Sequence, residues 1–207
     1  MVGTKNGSTN APVTGIAMND DSVEAAAGFE VAQIQTILEN SLQFLPNLVL
    51  INAGVNDCTY NDDTSNIGNR MSSLLDTVFN NIANTTVILS TLLPSLNSSV
   101  AACHDSVNSQ YRSLVATRSG QGQKIVLAEM APSVSYWNEV LGGDYFDDTH
   151  PNDSGHAKMA SIWYQAFNTA NSQNLFVAPA QTSAVNDVVS SGDDSDTFTS
   201  ASLPAAP

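Results

Sequence analysis

Basic side chains are scarce in this chain: six Lys and Arg stand against twenty Asp and Glu across 207 residues, a formal charge of −14. The six (Lys5, Arg70, Arg112, Arg118, Lys124 and Lys158) are scattered. No cluster exists to neutralise phosphates, which argues against nucleic acid as a partner. Long apolar runs are missing too. No stretch reaches the roughly 18 residues of a membrane span, and none has the pattern of a signal peptide. Cysteine occurs only at Cys58 and Cys103. Both a single disulfide and two buried thiols remain open, because sequence does not measure the distance a bridge requires. Charged residues make up only 13% of the chain, while Asn, Ser and Thr are abundant. That composition is expected of a secreted protein. Sequons at Asn6, Asn84, Asn97 and Asn152 would then be glycan acceptors, although a chain this rich in Asn, Ser and Thr forms several by chance.

What is present is a 42% hydrophobic chain that can bury one substantial core. Residues 1–28 have little periodicity and read as loop, with Met1 to Thr4 as the end of a strand. Val31, Ile34, Ile37, Leu38, Leu42 and Leu45 recur at helical spacing and stop before Pro46. Leu48 to Ile51 is a continuous apolar run, expected as a parallel strand covered on both faces. The alternation repeats: helical stripes at Ile67 to Ile82 and Val100 to Val115, and strands at 86–92 and 124–128. A final helix is expected over 157–170, with Ala160, Trp163, Tyr164 and Phe167 on one face. Such alternation implies an α/β fold built on a doubly wound parallel sheet, with ligands beyond the carboxyl ends of its strands. From about Asn171 the pattern decays. Residues 1–172 are assigned to the domain and 173–207 to a low-complexity tail, with 178–207 read as acidic and disordered.

Two short segments carry the chemistry. Gly54-Val55-Asn56-Asp57 leaves the first apolar run on a loop, where the Asn56 amide can donate to a developing oxyanion and Gly54 permits a sharp turn. By itself the segment also fits an ordinary Asx turn. In Asp147-Asp148-Thr149-His150, a carboxylate three residues from an imidazole can fix its tautomer and stabilise its charged form. Asp147 is the expected partner and Asp148 the rival. The alternative for His150 is a helix-entry histidine, with Pro151 and Asn152 starting the helix. His104 and His156 lack such a context and read as structural or exposed. A metal site on Asp147, Asp148 and His150 would need more ligands than the spacing offers.

As a pair these segments resemble the SGNH (GDSL-like) hydrolase superfamily, in which a Gly-x-Asn-Asp block follows one strand and an Asp-x-x-His block precedes the last helix. Val55 stands where Thr is more usual. Gly28, in Ala-Ala-Gly-Phe-Glu, aligns with the family's isolated glycine, and residues 150–156 (His-Pro-Asn-Asp-Ser-Gly-His) resemble a run common in its secreted members. The resemblance covers about residues 1–170 and is closest to carbohydrate esterase family 3, the acetyl xylan esterase-like branch. It implies a flavodoxin-like SGNH architecture and a serine esterase of small acyl esters or acetylated polysaccharide, with no cofactor. His150 would be general base then acid, with Asp147 orienting it; Asn56 and the Gly28 N–H would hold the oxyanion. Lysophospholipid or thioester hydrolysis is the alternative within the superfamily, and a non-catalytic carbohydrate-binding remnant the alternative outside it.

The family's Gly-Asp-Ser block has no counterpart here. Val2-Gly3-Thr4 resemble the end of the second strand, and neither Ser8 nor Ser22 follows a buried strand or opens a helix. The chain therefore reads as lacking the first, central strand and its nucleophile. It is expected to be poorly soluble or partly molten, with esterase activity near background.

Overall fold

The computed structural model describes residues 5–6, 22–23, 25–132 and 136–184. The reading of Met1 to Thr4, Ser8 and the distal part of the acidic tail, 185–207, lies outside them. Within the stretch expected as loop, β1 (Lys5–Asn6) pairs antiparallel with β2 (Ser22–Val23), which contains Ser22. Two-residue strands are too short for any periodic pattern to announce.

The sheet that organises the molecule is parallel, in the order β3 (Leu48–Ile51), β4 (Thr86–Ser90), β5 (Ile125–Ala128). Its register pairs Leu48 with Thr86 and Val87 with Ile125. Helices α1 (Val31–Leu38), α3 (Ile67–Asn81) and α4 (Ser98–Gly120) cover one face, burying Val49, Ile51, Val87, Leu89, Ile125 and Leu127 beneath them. Helix α5 (Asp153–Ser172) covers the other, against Ile88, Val126 and Ala128. The period-2 alternation of strand side chains thus separates two apolar cores, as a doubly wound sheet requires.

Several expectations are corrected. The first helix does not run unbroken to Leu45; it tightens into a 3₁₀ segment at Glu39–Phe44, and Leu45 turns left-handed at φ 47°. The Gly-Val-Asn-Asp segment does not lie on a loop. It opens α2 (Val55–Tyr60), whose six residues are too few to show an apolar period. On α5 the inward residues are Ser161, Ile162, Ala166 and Ala170, whereas Tyr164 and Phe167 face solvent. Small side chains let the helix approach the sheet closely, and the bulkier aromatics are left at its margin. Strand β3 is not covered on both faces either. Leu50 is 53% exposed because β3 is an edge of the described sheet and α5 does not reach across it.

Beyond α5 the chain still packs. Leu175 and Phe176 join the second core, the Thr86 hydroxyl donates to the Leu175 carbonyl at 2.9 Å, and the Thr182 hydroxyl donates to Gln43 O at 2.9 Å. Thr182 is thereby tied to the body, while its neighbours from 178 to 184 are exposed. No described helix is long and apolar enough to cross a membrane.

Candidate active site

Gly54 caps α2 with φ at 120°, a backbone state that a side chain tolerates poorly. Space is closed as well: a Cβ there would stand 2.8 Å from the Tyr111 hydroxyl. That hydroxyl is buried, so its pKa is pushed upward, and it donates to the Ala53 carbonyl at 3.0 Å. The turn leaving β3 is thereby set by α4, and it delivers Asn56 to the first turn of α2. The Asn56 amide donates to the Phe29 carbonyl at 2.9 Å, which places it beside Gly28, itself at φ 78°.

Asp57 does more than close a turn. It is fully buried, accepts the Val31 N–H at 3.1 Å and pairs with Arg70 at 2.8 Å. One carboxylate thus joins the start of α1, the start of α2 and a guanidinium from α3. A buried charge needs such partners, and here the partners are the elements that carry Gly28 and Asn56. Sequence reasoning missed this anchor, although an isolated arginine 13 residues after the acid was a usable signal. It also missed Asn108, whose side chain accepts from Leu92 N–H and donates to Leu92 O, pinning the turn after β4.

A disulfide joins Cys58 on α2 to Cys103 on α4, with Cα atoms 5.7 Å apart. It resolves the choice that spacing left open and adds a covalent tie behind Asn56.

The second half of the site lies in the loop that enters α5. Asn152 caps that helix by accepting the Gly155 N–H at 3.1 Å and donates to the Gly143 carbonyl at 2.8 Å. The helix begins at Asp153, four residues before the periodicity places it, because the cap and not the apolar stripe sets its start. Engaged in this way, Asn152 is a poor place for a glycan. Gly155 is required by packing, since any Cβ would strike the Asp144 carbonyl oxygen. Asp144 is buried; although burial opposes its charge, Lys158, the Asn138 N–H and Ser154 hold its pKa below the usual range.

Asp147 accepts the His150 backbone N–H at 2.6 Å, approaches the His150 Nδ1 at 2.8 Å and accepts the Thr149 N–H at 2.8 Å. Those three contacts, in that order, bring its pKa down to about 2. Asp148 points elsewhere, accepting from the Thr149 hydroxyl. With Nδ1 held by the carboxylate, Nε2 of His150 has no hydrogen-bond partner among the described residues, and the ring is 72% exposed. That is the disposition a general base needs toward an incoming hydroxyl. His104 is buried and bonded to the Leu93 carbonyl, with its pKa lowered by burial; His156 is exposed in the first turn of α5. Among the described residues no group of three His, Cys, Asp or Glu is arranged to hold a metal ion.

Both halves lie past the carboxyl ends of the parallel strands, Asn56 after β3 and His150 after β5. The loop after β4 borders both: Leu92 would stand 3.5 Å from a Cβ at Gly54, and the Leu96 N–H donates to the Asp148 carbonyl at 3.1 Å. No hydrogen bond joins Asn56 to His150. Two open depressions, of about 720 and 550 Å³, flank residues 146–156, and neither is lined by Asn56 or Gly28.

Among solved structures the chain is similar to a family 3 carbohydrate esterase of Clostridium thermocellum, at 20% identity over 83% of this chain and 79% of that one, with a TM-score of 0.66. A family 3 carbohydrate esterase of Talaromyces cellulolyticus gives 19% identity, 83% and 82% coverage and a TM-score of 0.69. An acetyl xylan esterase gives 16% identity, 68% and 77% coverage and 0.58. Identities this low speak for a shared fold. No curated protein sequence matches significantly. A family model described as GDSL-like Lipase/Acylhydrolase matches residues 2–163, from before β1 to the middle of α5. A match over that much of the sequence, on that fold, means that the chain belongs to the GDSL-like lipase/acylhydrolase family.

Proposed function

We propose that this polypeptide carries the base and oxyanion halves of a serine esterase that removes small acyl groups, acetyl foremost, from carbohydrate. The observation that supports the reading best is the Asp147–His150 pair: the carboxylate takes one ring nitrogen and leaves the other open toward solvent. In the reaction, Nε2 accepts the proton of the attacking serine and returns it to the leaving alcohol, while Asp147 stabilises the imidazolium. The Asn56 amide and the Gly28 N–H stabilise the oxyanion, a contribution of about 2.7–4 kcal/mol per donor. Water then cleaves the acyl-enzyme. No Gly-Asp-Ser segment occurs in the 207 residues, and we assign the nucleophile to such a segment outside them. The disulfide and the low charge density favour an oxidising, extracellular setting. Acetylated sugar is preferred as substrate because carbohydrate esterases recur among the structural neighbours.

The test is hydrolysis of 4-nitrophenyl acetate by the 207-residue polypeptide, by its His150→Ala variant, and by a form extended with a Gly-Asp-Ser strand-turn segment. Background rates are expected for the first two and His150-dependent turnover for the third. Turnover by the unextended chain that vanishes in His150→Ala would overturn the assignment of the nucleophile. A folded extended form with no such turnover would overturn the esterase reading.

A further inference from the structure

We propose that Phe146, standing between the two open depressions beside the dyad, is a platform for the backbone of a neutral polysaccharide, with a sugar unit on either side of its ring. The inference rests on the carbohydrate-ester reading above and names where the leaving group lies.

Phe146 lines both depressions. It is 79% exposed, and its neighbours Leu141 and Val140 are 68% and 55% exposed. Large apolar side chains gathered on a surface otherwise rich in Asn, Ser and Asp mark a contact site. The wall that presents them is held firmly. The Phe146 N–H donates to the His150 carbonyl at 2.8 Å and the Gly142 N–H to the Tyr145 carbonyl at 3.1 Å. Below them the Tyr145 hydroxyl donates to Pro94 O at 2.6 Å, and buried Asp144 accepts the Asn138 N–H at 2.6 Å. Apolar groups raised on so fixed a base are ready for a ligand without further ordering, which lowers the cost of binding.

The chemistry around the ring selects the ligand. The larger depression combines the apolar Leu96, Val140 and Leu141 with the carboxylates of Glu139, Asp147 and Asp148. The smaller one adds Asn152, Asp153, Ser154 and His156. A pyranose has a face of C–H groups that packs on an aromatic ring and a rim of hydroxyls that donate to carboxylates, which only accept. A fatty acyl chain would match the apolar floor but strand the carboxylates above it. A uronic acid backbone would meet like charges at Glu139, Asp148 and Asp153. Because Phe146 belongs to two depressions at once, a linear ligand can cross it. The same segment runs directly into Asp147 and His150, so a sugar seated there brings its ester to the dyad.

The experiment is an NMR titration of the whole 207-residue polypeptide with xylose, xylotetraose, tetragalacturonate and decanoate, repeated for Phe146→Ala and Phe146→Trp. Xylotetraose should bind, more tightly than xylose. Phe146→Ala should weaken it about tenfold or more at unchanged melting temperature, and Phe146→Trp should restore it. Xylotetraose carries no ester, so its binding is read without the dyad chemistry, and a failure of that chemistry would leave this result standing. Equal affinity in Phe146→Ala, no binding of xylotetraose, or binding of tetragalacturonate or decanoate as tight as that of xylotetraose would each overturn the proposal.

Discussion

Asn56 reaches the carbonyl of Phe29 across 27 residues of chain, at 2.9 Å, and that one bond seats a helix-borne amide against the glycine turn that precedes α1. Each partner sits in a segment that is held by a group from elsewhere in the chain, the Gly54 turn by Tyr111 and the start of α1 by Asp57. Asn56 is placed by the Gly54 turn, and Phe29 by the start of α1, whose first N–H is held by Asp57. Substitutions behind the site should therefore affect it as strongly as substitutions within it.

Asp57→Ala removes the acceptor of the Val31 N–H and leaves the Arg70 guanidinium short of its buried partner. Breaking such a pair costs about 3–5 kcal/mol. Urea unfolding should show a midpoint lowered accordingly, with the Asn56 side-chain amide signals displaced in the folded fraction. A change below about 1 kcal/mol would mean that the carboxylate is not an anchor.

Gly54→Ala and Gly28→Ala should separate. At Gly54 a positive φ combines with the buried Tyr111 hydroxyl 2.8 Å from the new Cβ, for a cost of about 1–3 kcal/mol or more. At Gly28 the nearest atom is the Tyr60 hydroxyl at 3.3 Å, the far end of an exposed side chain, which can give way. Backbone strain of about 1 kcal/mol is then the main loss. Thermal melts should rank Gly54→Ala below Gly28→Ala, and the reverse order would contradict the packing described.

Cys58→Ser combined with Cys103→Ser opens a loop of sequence separation 45. Chain-entropy reasoning puts the loss at about 4 kcal/mol, with observed values commonly 2–4. The double variant and the reduced protein should melt at the same lowered temperature, since both lack the same tie.

Asp147 has a folded pKa of about 2 against an ordinary 3.8. A depressed carboxylate contributes stability that is complete above about pH 4 and is lost as pH falls toward 2. The side chain is 43% exposed, so solvent screening holds the amplitude to about 1 kcal/mol at most. Melting temperatures of the unaltered chain and Asp147→Asn should differ at pH 5 and converge near pH 2. A difference that grows on acidification would reverse the sign and exclude the pairing.

Much of the fold was legible. The three strands of the parallel sheet fall within about two residues of their apolar runs, and α3 and α4 follow their stripes, because a strand or a long helix writes its period into a dozen residues or fewer. Short elements were not legible: α2 and the β1–β2 pair are too brief to repeat anything. The inward face of α5 was misjudged because Ser161, Ala166 and Ala170 carry little hydrophobic signal, although their size lets the helix close on the sheet.

By itself the sequence determined the α/β alternation, the pairing of a Gly-x-Asn-Asp segment with an Asp-x-x-His segment, and the family to which they belong, since each is written in neighbouring residues. Only the tertiary structure decided that Asp147 and not Asp148 takes the histidine ring, that Cys58 and Cys103 are joined, that Asp57 ties three helices together, and that Leu50 stands uncovered at the sheet edge. Those outcomes depend on distances between groups far apart in the chain. Hydrogen bonds, ion pairs and disulfides form over a few ångströms, and folding alone brings their partners within that range.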